Sequence, residues 1–151
     1  MVIEITKRAD GAGVLRCVRD DGSVTWQKQD RHAAFFALHD LTHYAVETTL
    51  GWRGFFGLVA AGWEIEETTG KGARGPLPEE AGAVEQVVGL FDSERGGGAV
   101  WTLEEWHEFG GPAAKRLTAN DLARIRKRRS ELFRQWAEVP VGEALRLPFP
   151  A

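Results

Sequence analysis

Apolar and polar residues alternate at the start of the chain. "VIEITKR" (residues 2–8) sets Val2, Ile3 and Ile5 among polar neighbours, and "VLRCVR" (14–19) and "VTWQKQ" (24–29) continue in the same manner. Between them lie "ADGAG" and "DDGS", which is turn chemistry with an Asp-Gly signal. The β-branched content suits strands. The pattern predicts a three-stranded meander over residues 2–28.

At Arg31 the period changes. From there to Leu50 no Gly or Pro occurs and apolar residues recur at helical spacing, with Asp30 placed as N-cap and Gly51 as the residue just past the end. A short second helix is expected over "FFGLVAAG", and "WEIEETT" reads as a strand or a loop entry. "TGKGARGP" is a Gly-rich loop. Pro78 suits the first turn of a helix running to about Phe91, with Ala81, Val84, Val88 and Phe91 as its apolar stripe. "SERGGGA" reads as the next loop. Thr102 with Glu105 is a capping-box signal for a helix over "LEEWHEF". Thr118 with Asp121 opens a last long helix with Leu122, Ile125, Leu132, Phe133 and Trp136 on its core face, ended by Pro140. "EALRLPF" alternates again and is expected to return as a strand to the N-terminal sheet. The fold class is therefore α+β: one domain, residues 1–151, with a small antiparallel sheet packed against about four helices.

A chain of 151 residues with 43% hydrophobic content and six Trp can bury a core without disulfides. Cys17 has no cysteine to pair with and sits in a predicted strand with no predicted basic or histidine partner for its thiol, which points to an inert thiol in a reducing cytoplasm. No basic segment followed by an apolar run resembles a signal peptide, and no run approaches the roughly 20 apolar residues of a membrane span. The expected setting is cytoplasmic, without a membrane partner.

Charge is uneven. Residues 61–108 hold eleven acids against Lys71, Arg74 and Arg95, a net of −8; residues 115–134 hold eight bases against Asp121 and Glu131, a net of +6. The basic helix "LARIRKRRSELFRQW" can meet a nucleic acid or an acidic protein through phosphate or carboxylate contacts. However, Arg126, Lys127, Arg128 and Arg129 are consecutive and spread around the helix, and no short polar base readers stand beside them. Pairing with the acidic segment within the fold is the simpler expectation.

The first helix carries the candidate chemistry. At about 100° per residue, His39, His43, Glu47 and Asp40 fall on one stripe, with His32 nearby if the helix begins that early. Histidines at i and i+4 face one another and can converge on an ion, as in the H-E-x-x-H pair of metalloproteases. Here Asp40 stands where those enzymes carry their Glu base, and no third histidine follows a glycine turn. Glu47 lies about 12 Å from His39 along the axis, so it reaches an ion with His39 only if both lean toward His43. The candidate ligands are His39, His43 and Glu47, with Glu47 alternatively a general base, Asp40 an orienter of a histidine, and His107 the best distal ligand. Glu104, Glu105, Glu108 and His32 are the other distal candidates. Such donors suit Zn²⁺, Mn²⁺, Fe²⁺ or Ni²⁺. The competing reading is a half-buried helix whose histidines are satisfied by carboxylates.

"GWRGFFG" spaces Gly51, Gly54 and Gly57 by three, but no strand precedes it and no Lys-Ser/Thr follows, so close packing is the better explanation than a phosphate cradle. The tryptophans read mostly as core, with one or two free to line a pocket beside the histidines.

"HDLTHYAVE" followed by "GFFGLVAAGW" resembles a group of small, uncharacterised bacterial proteins marked by H-D-L-x-H-Y-x-V-E and G-F-[FY]-G-L segments. The matching residues are His39, Asp40, His43, Tyr44, Glu47 and Gly54 to Leu58. The resemblance covers residues 36–63 and implies bacterial origin without implying a reaction. Taken together, the residues point to a metal-binding or metal-dependent, hydrolase-like protein. The alternative is a non-catalytic binding or regulatory module acting through residues 118–138. The open partners are a small molecule, a protein or a second copy of the chain.

Overall fold

The computed structural model describes residues 1–9, 12–29, 33–69 and 74–150. Strands β1 (Val2–Lys7), β2 (Gly13–Val18) and β3 (Val24–Gln29) form the expected meander, and β4 (Ala144–Pro148) returns beside β1, giving an antiparallel sheet of order β3-β2-β1-β4. Paired residues share a face: Ile3 lies opposite both Cys17 and Leu147, and Ile5 opposite Leu15. These five are fully or almost fully buried and form the sheet's contribution to the core. Trp26, by contrast, is 64% exposed on β3, the one tryptophan that departs strongly from the core expectation.

The described residues form five helices, α1 (Ala33–Leu50), α2 (Phe55–Ala60), α3 (Glu79–Gly97), α4 (Leu103–Phe109) and α5 (Ala119–Glu138), of which α1 packs on the sheet. Helix α1 lies at the centre. Its Ala37, Leu41, Tyr44, Ala45 and Val46 are buried against the sheet and against α3 and α5. Residues 65–69, read from sequence as strand or loop, form a 3-10 turn anchored by the Ile65 N–H donating to Thr25 Oγ1 at 3.2 Å. Both capping boxes form, Thr102 with Glu105 and Thr118 with Asp121.

Helix α3 runs six residues beyond the expected stop at Phe91 and ends where Gly98 turns left-handed at φ 69°. The added turns are held by Glu94, which is 4% exposed. Its Oε2 accepts from Trp106 Nε1 at 3.0 Å, Trp101 N at 2.9 Å and Arg126 Nη2 at 2.7 Å. A buried carboxylate with three donors fixes the helix end more firmly than Gly96 and Gly97 weaken it. The same contact joins the acidic middle of the chain to the basic helix. Arg129 donates to Phe91 O and lies over Phe91 and Phe133, and Arg128 lies over Tyr44. Three bases of α5 are thus turned inward, while Arg124, Lys127 and Arg134 are exposed.

The Asp30 cap, His32, part of the "ADGAG" turn (residues 10–11) and part of the Gly-rich loop (residues 70–73) lie outside the described residues. No described helix is long and apolar enough to cross a membrane.

Candidate metal centre

Helices α1 and α3 meet so that His43 faces Glu85 and His39 faces Asp92. The chains therefore run antiparallel at the contact. One ligand atom each from His39, His43 and Glu85 lies within 4.8 Å of the other two, the one such His, Cys or acid group among the described residues. Two imidazoles and a carboxylate at this separation can hold a divalent transition metal.

Each imidazole has a carboxylate behind it. His43 Nδ1 is 3.3 Å from Glu47 Oε2, and its Nε2 is 3.2 Å from Glu85 Oε1. His39 Nδ1 is 2.7 Å from Asp92 Oδ2. A Nδ1–H donated to a carboxylate leaves the lone pair on Nε2, the tautomer a metal ligand needs. The rings pack edge to face at 4.8 Å between centroids, His39 stacked on Phe35 and His43 against Phe55.

The electrostatics follow from this arrangement. Burial works against a charge on His43, but its hydrogen bonds to Glu47 and Glu85 outweigh it and push the pKa up to about 10. Burial likewise opposes ionisation of Glu85, yet the His43 hydrogen bond and charge hold its carboxyl below the usual range. Without an ion, His43 is an imidazolium held between the carboxylates of Glu47 and Glu85.

Glu47 is drawn to a different task from ion binding. Helix α2 begins at Gly54 without a side-chain cap of its own. Glu47 supplies it from one helix earlier: Oε1 accepts from Gly54 N at 3.0 Å and Gly57 N at 2.9 Å, and Oε2 from Phe56 N at 3.1 Å. A Cβ on Gly54 would stand 2.8 Å from Glu47 Cδ and 2.5 Å from Val84 Cγ1, so the close approach depends on glycine. Gly51, with φ 71°, ends α1 as expected. A cleft of about 520 Å³ on the far side of Glu47 is lined by Trp52, Arg53 and Phe149. It reaches Glu47 but not the histidines.

The other sequence candidates fall elsewhere. Asp40 turns toward the sheet and accepts from Gln29 Nε2 at 2.8 Å; burial pushes its pKa up to about 6 against that hydrogen bond and the nearby histidines. The orienting of histidines falls to Glu47 and Asp92 in its place. His107 Nε2 lies 2.8 Å from Leu117 O, joining α4 to the turn before α5, and neither it nor Glu104, Glu105 or Glu108 joins the group. Cys17 is buried with its pKa pushed up to about 12 by burial, as an inert thiol would be.

Glu85 and Asp92 escaped the sequence reading. Both border the α3 apolar stripe and stand seven residues apart, on one face of a helix. That spacing is the available signal, though it does not reveal which helix they face. Comparison of the chain with protein-family models, with curated proteins and with solved structures gave no match.

Proposed function

We propose that this protein binds a divalent transition metal through His39, His43 and Glu85 and uses it in hydrolase-like chemistry. The observation that carries the reading is the pairing of each histidine with its own carboxylate, Glu47 behind His43 and Asp92 behind His39. Histidines that merely pack need one hydrogen bond each; here both are oriented, and a third donor, Glu85, meets them. His43 and Glu47 are almost wholly buried whereas Glu85 is 44% exposed, so an ion would sit at the boundary between protein and solvent. Three protein ligands with one side open is the pattern of catalytic rather than closed structural sites. An ion there would supply Lewis acidity and a water of lowered pKa.

The roles of the chain's own residues follow. Glu47 and Asp92 hold proton positions on Nδ1 and fix the ring planes. Glu85 supplies negative charge and, as the most exposed donor, borders the open position. Glu47 acts as a positioning residue, because all four of its contacts are already to protein groups.

Metal analysis of protein purified without a polyhistidine tag tests the reading. Wild type should carry or take up about one ion per chain, and His39→Ala, His43→Ala and Glu85→Gln should each lose it. Equal, substoichiometric metal in all four would sink it.

A further inference from the structure

The His39–His43–Glu85 group is sealed behind and open in front. The His43 side chain is 2% exposed, His39 23% and Glu85 44%. On α3, Gly82 and Gly89 flank Glu85 at three residues before and four after, and a Cβ on either would meet nothing within 4 Å. The ground beside Glu85 is thus bare of side chains. Gly89 in mid-helix lowers stability relative to Ala, and no neighbour requires its smallness.

The opposite wall is aromatic. Phe35, one turn before His39, stacks on the His39 ring at 5.5 Å and 20°, and Phe36 packs edge-on against Phe35 at 5.5 Å. Both remain substantially exposed, 41% and 37%. The Arg95 guanidinium lies 5.4 Å from the centre of Phe35, with Nη2 3.8 Å from Asp92 Oδ1, beyond hydrogen-bond distance. Asp92 Oδ1 and Arg95 Nε are buried without hydrogen-bond partners. Exposed aromatic rings, a bare helix face and an under-used cation therefore surround one candidate ion.

We infer that this mouth receives a small aromatic carboxylate, its oxygens toward the ion and Arg95 and its ring against Phe35 and Phe36, in the space left by Gly89. The inference rests on the metal reading above. His39 and Arg95 both lie over the Phe35 ring, which still keeps 41% of its surface exposed, so a guest ring would meet what they leave open, edge-on, an arrangement aromatic pairs favour. A carboxylate is also the product of cleaving an acyl bond, so the same mouth fits substrates with an aromatic acyl group.

Cobalt-loaded protein provides the test, since Co²⁺ absorption in the visible range reports its ligands. Benzoate should perturb the spectrum at about tenfold lower concentration than acetate, the scale of one good aromatic contact. Phe35→Ala should bring the two carboxylates to near parity with Co²⁺ stoichiometry unchanged. Gly89→Leu should exclude benzoate more than acetate while the helix remains intact, and Arg95→Gln should weaken both alike. Failure to take up one Co²⁺ per chain would overturn the metal reading and this inference with it. Uptake of Co²⁺ with equal response to benzoate and acetate, or a preference that survives Phe35→Ala, would overturn this inference alone.

Discussion

The Glu47 carboxylate lies 3.3 Å from His43 Nδ1 while accepting hydrogen bonds from Gly54, Phe56 and Gly57. One side chain therefore closes the start of α2 and sets the ring of a candidate ligand, so the fold of residues 51–57 and the chemistry of His43 depend on the same two oxygens.

Glu47→Ala should strand three backbone donors and a protonated histidine in a buried site. A loss of about 3–5 kcal/mol is expected, measured by urea denaturation of metal-free protein. Glu47→Gln, which keeps one acceptor, should lose less stability and bind metal about 10- to 100-fold more weakly. A Glu47→Ala protein as stable as wild type would contradict the cap.

The glycines divide into two kinds. Gly54→Ala places a methyl 2.5 Å from Val84 Cγ1, and should cost about 2 kcal/mol. Gly82→Ala, on the open face of α3, should gain about 0.5–1 kcal/mol through helix propensity. Thermal melts of the two variants should move in opposite directions.

Metal uptake should release a proton. His43 is protonated in the metal-free protein well above neutral pH, with its pKa near 10, and an ion must displace that proton. Calorimetry in buffers of different ionisation enthalpy at pH 7.5 should show about one proton released per Zn²⁺. The apparent affinity should rise up to about tenfold per pH unit between 6.5 and 9. The sign is reversed for the metal-free fold: a histidine pKa raised above its ordinary 6.5 contributes stability that is complete below 6.5 and lost as pH climbs through 10. A flat affinity profile would contradict the carboxylate-bound imidazolium.

Asp40 should show a pH dependence of the same sign in a lower window. Its pKa rises from 3.8 to about 6 on folding, so its ionisation costs stability progressively across that interval and fully above it. Gln29 Oε1, buried without a partner, lacks the donor that a protonated acid or an amide would offer. Asp40→Asn should therefore stabilise metal-free protein by about 3 kcal/mol at pH 7.5, with the gain vanishing near pH 4. Equal denaturation midpoints at both pH values would refute it.

Much of the fold can be read from local pattern. Alternation with Asp-Gly turns marks β1 to β3, and the two capping boxes mark the starts of α4 and α5, because those signals act within a few residues. The end of α3 is not legible that way: Glu94 is held by Trp106 and Arg126, both brought there by tertiary packing. The site divides in the same manner. The stripe of His39 and His43 follows from helical period alone, whereas Glu85 belongs to it only because α3 docks antiparallel on α1. Glu47 shared the stripe, but the uncapped start of "FFGLVA" at Gly54 drew its carboxylate. That missing cap is visible in the sequence, and it is the one clue that separates Glu47 from Glu85.

Strands β1 and β4 pair across nearly the whole sequence, Val2 against Pro148 and Thr6 against Ala144. Every helix lies in the loop they close. Such a contact comes at a high entropy of loop closure, so its formation belongs late in folding and its rupture releases the enclosed helices together. In native-state hydrogen exchange, the amides of α1 around His43 and those of β1 should therefore open in a single cooperative step, with the helix that carries His39 and His43 having no independent life outside the closed sheet.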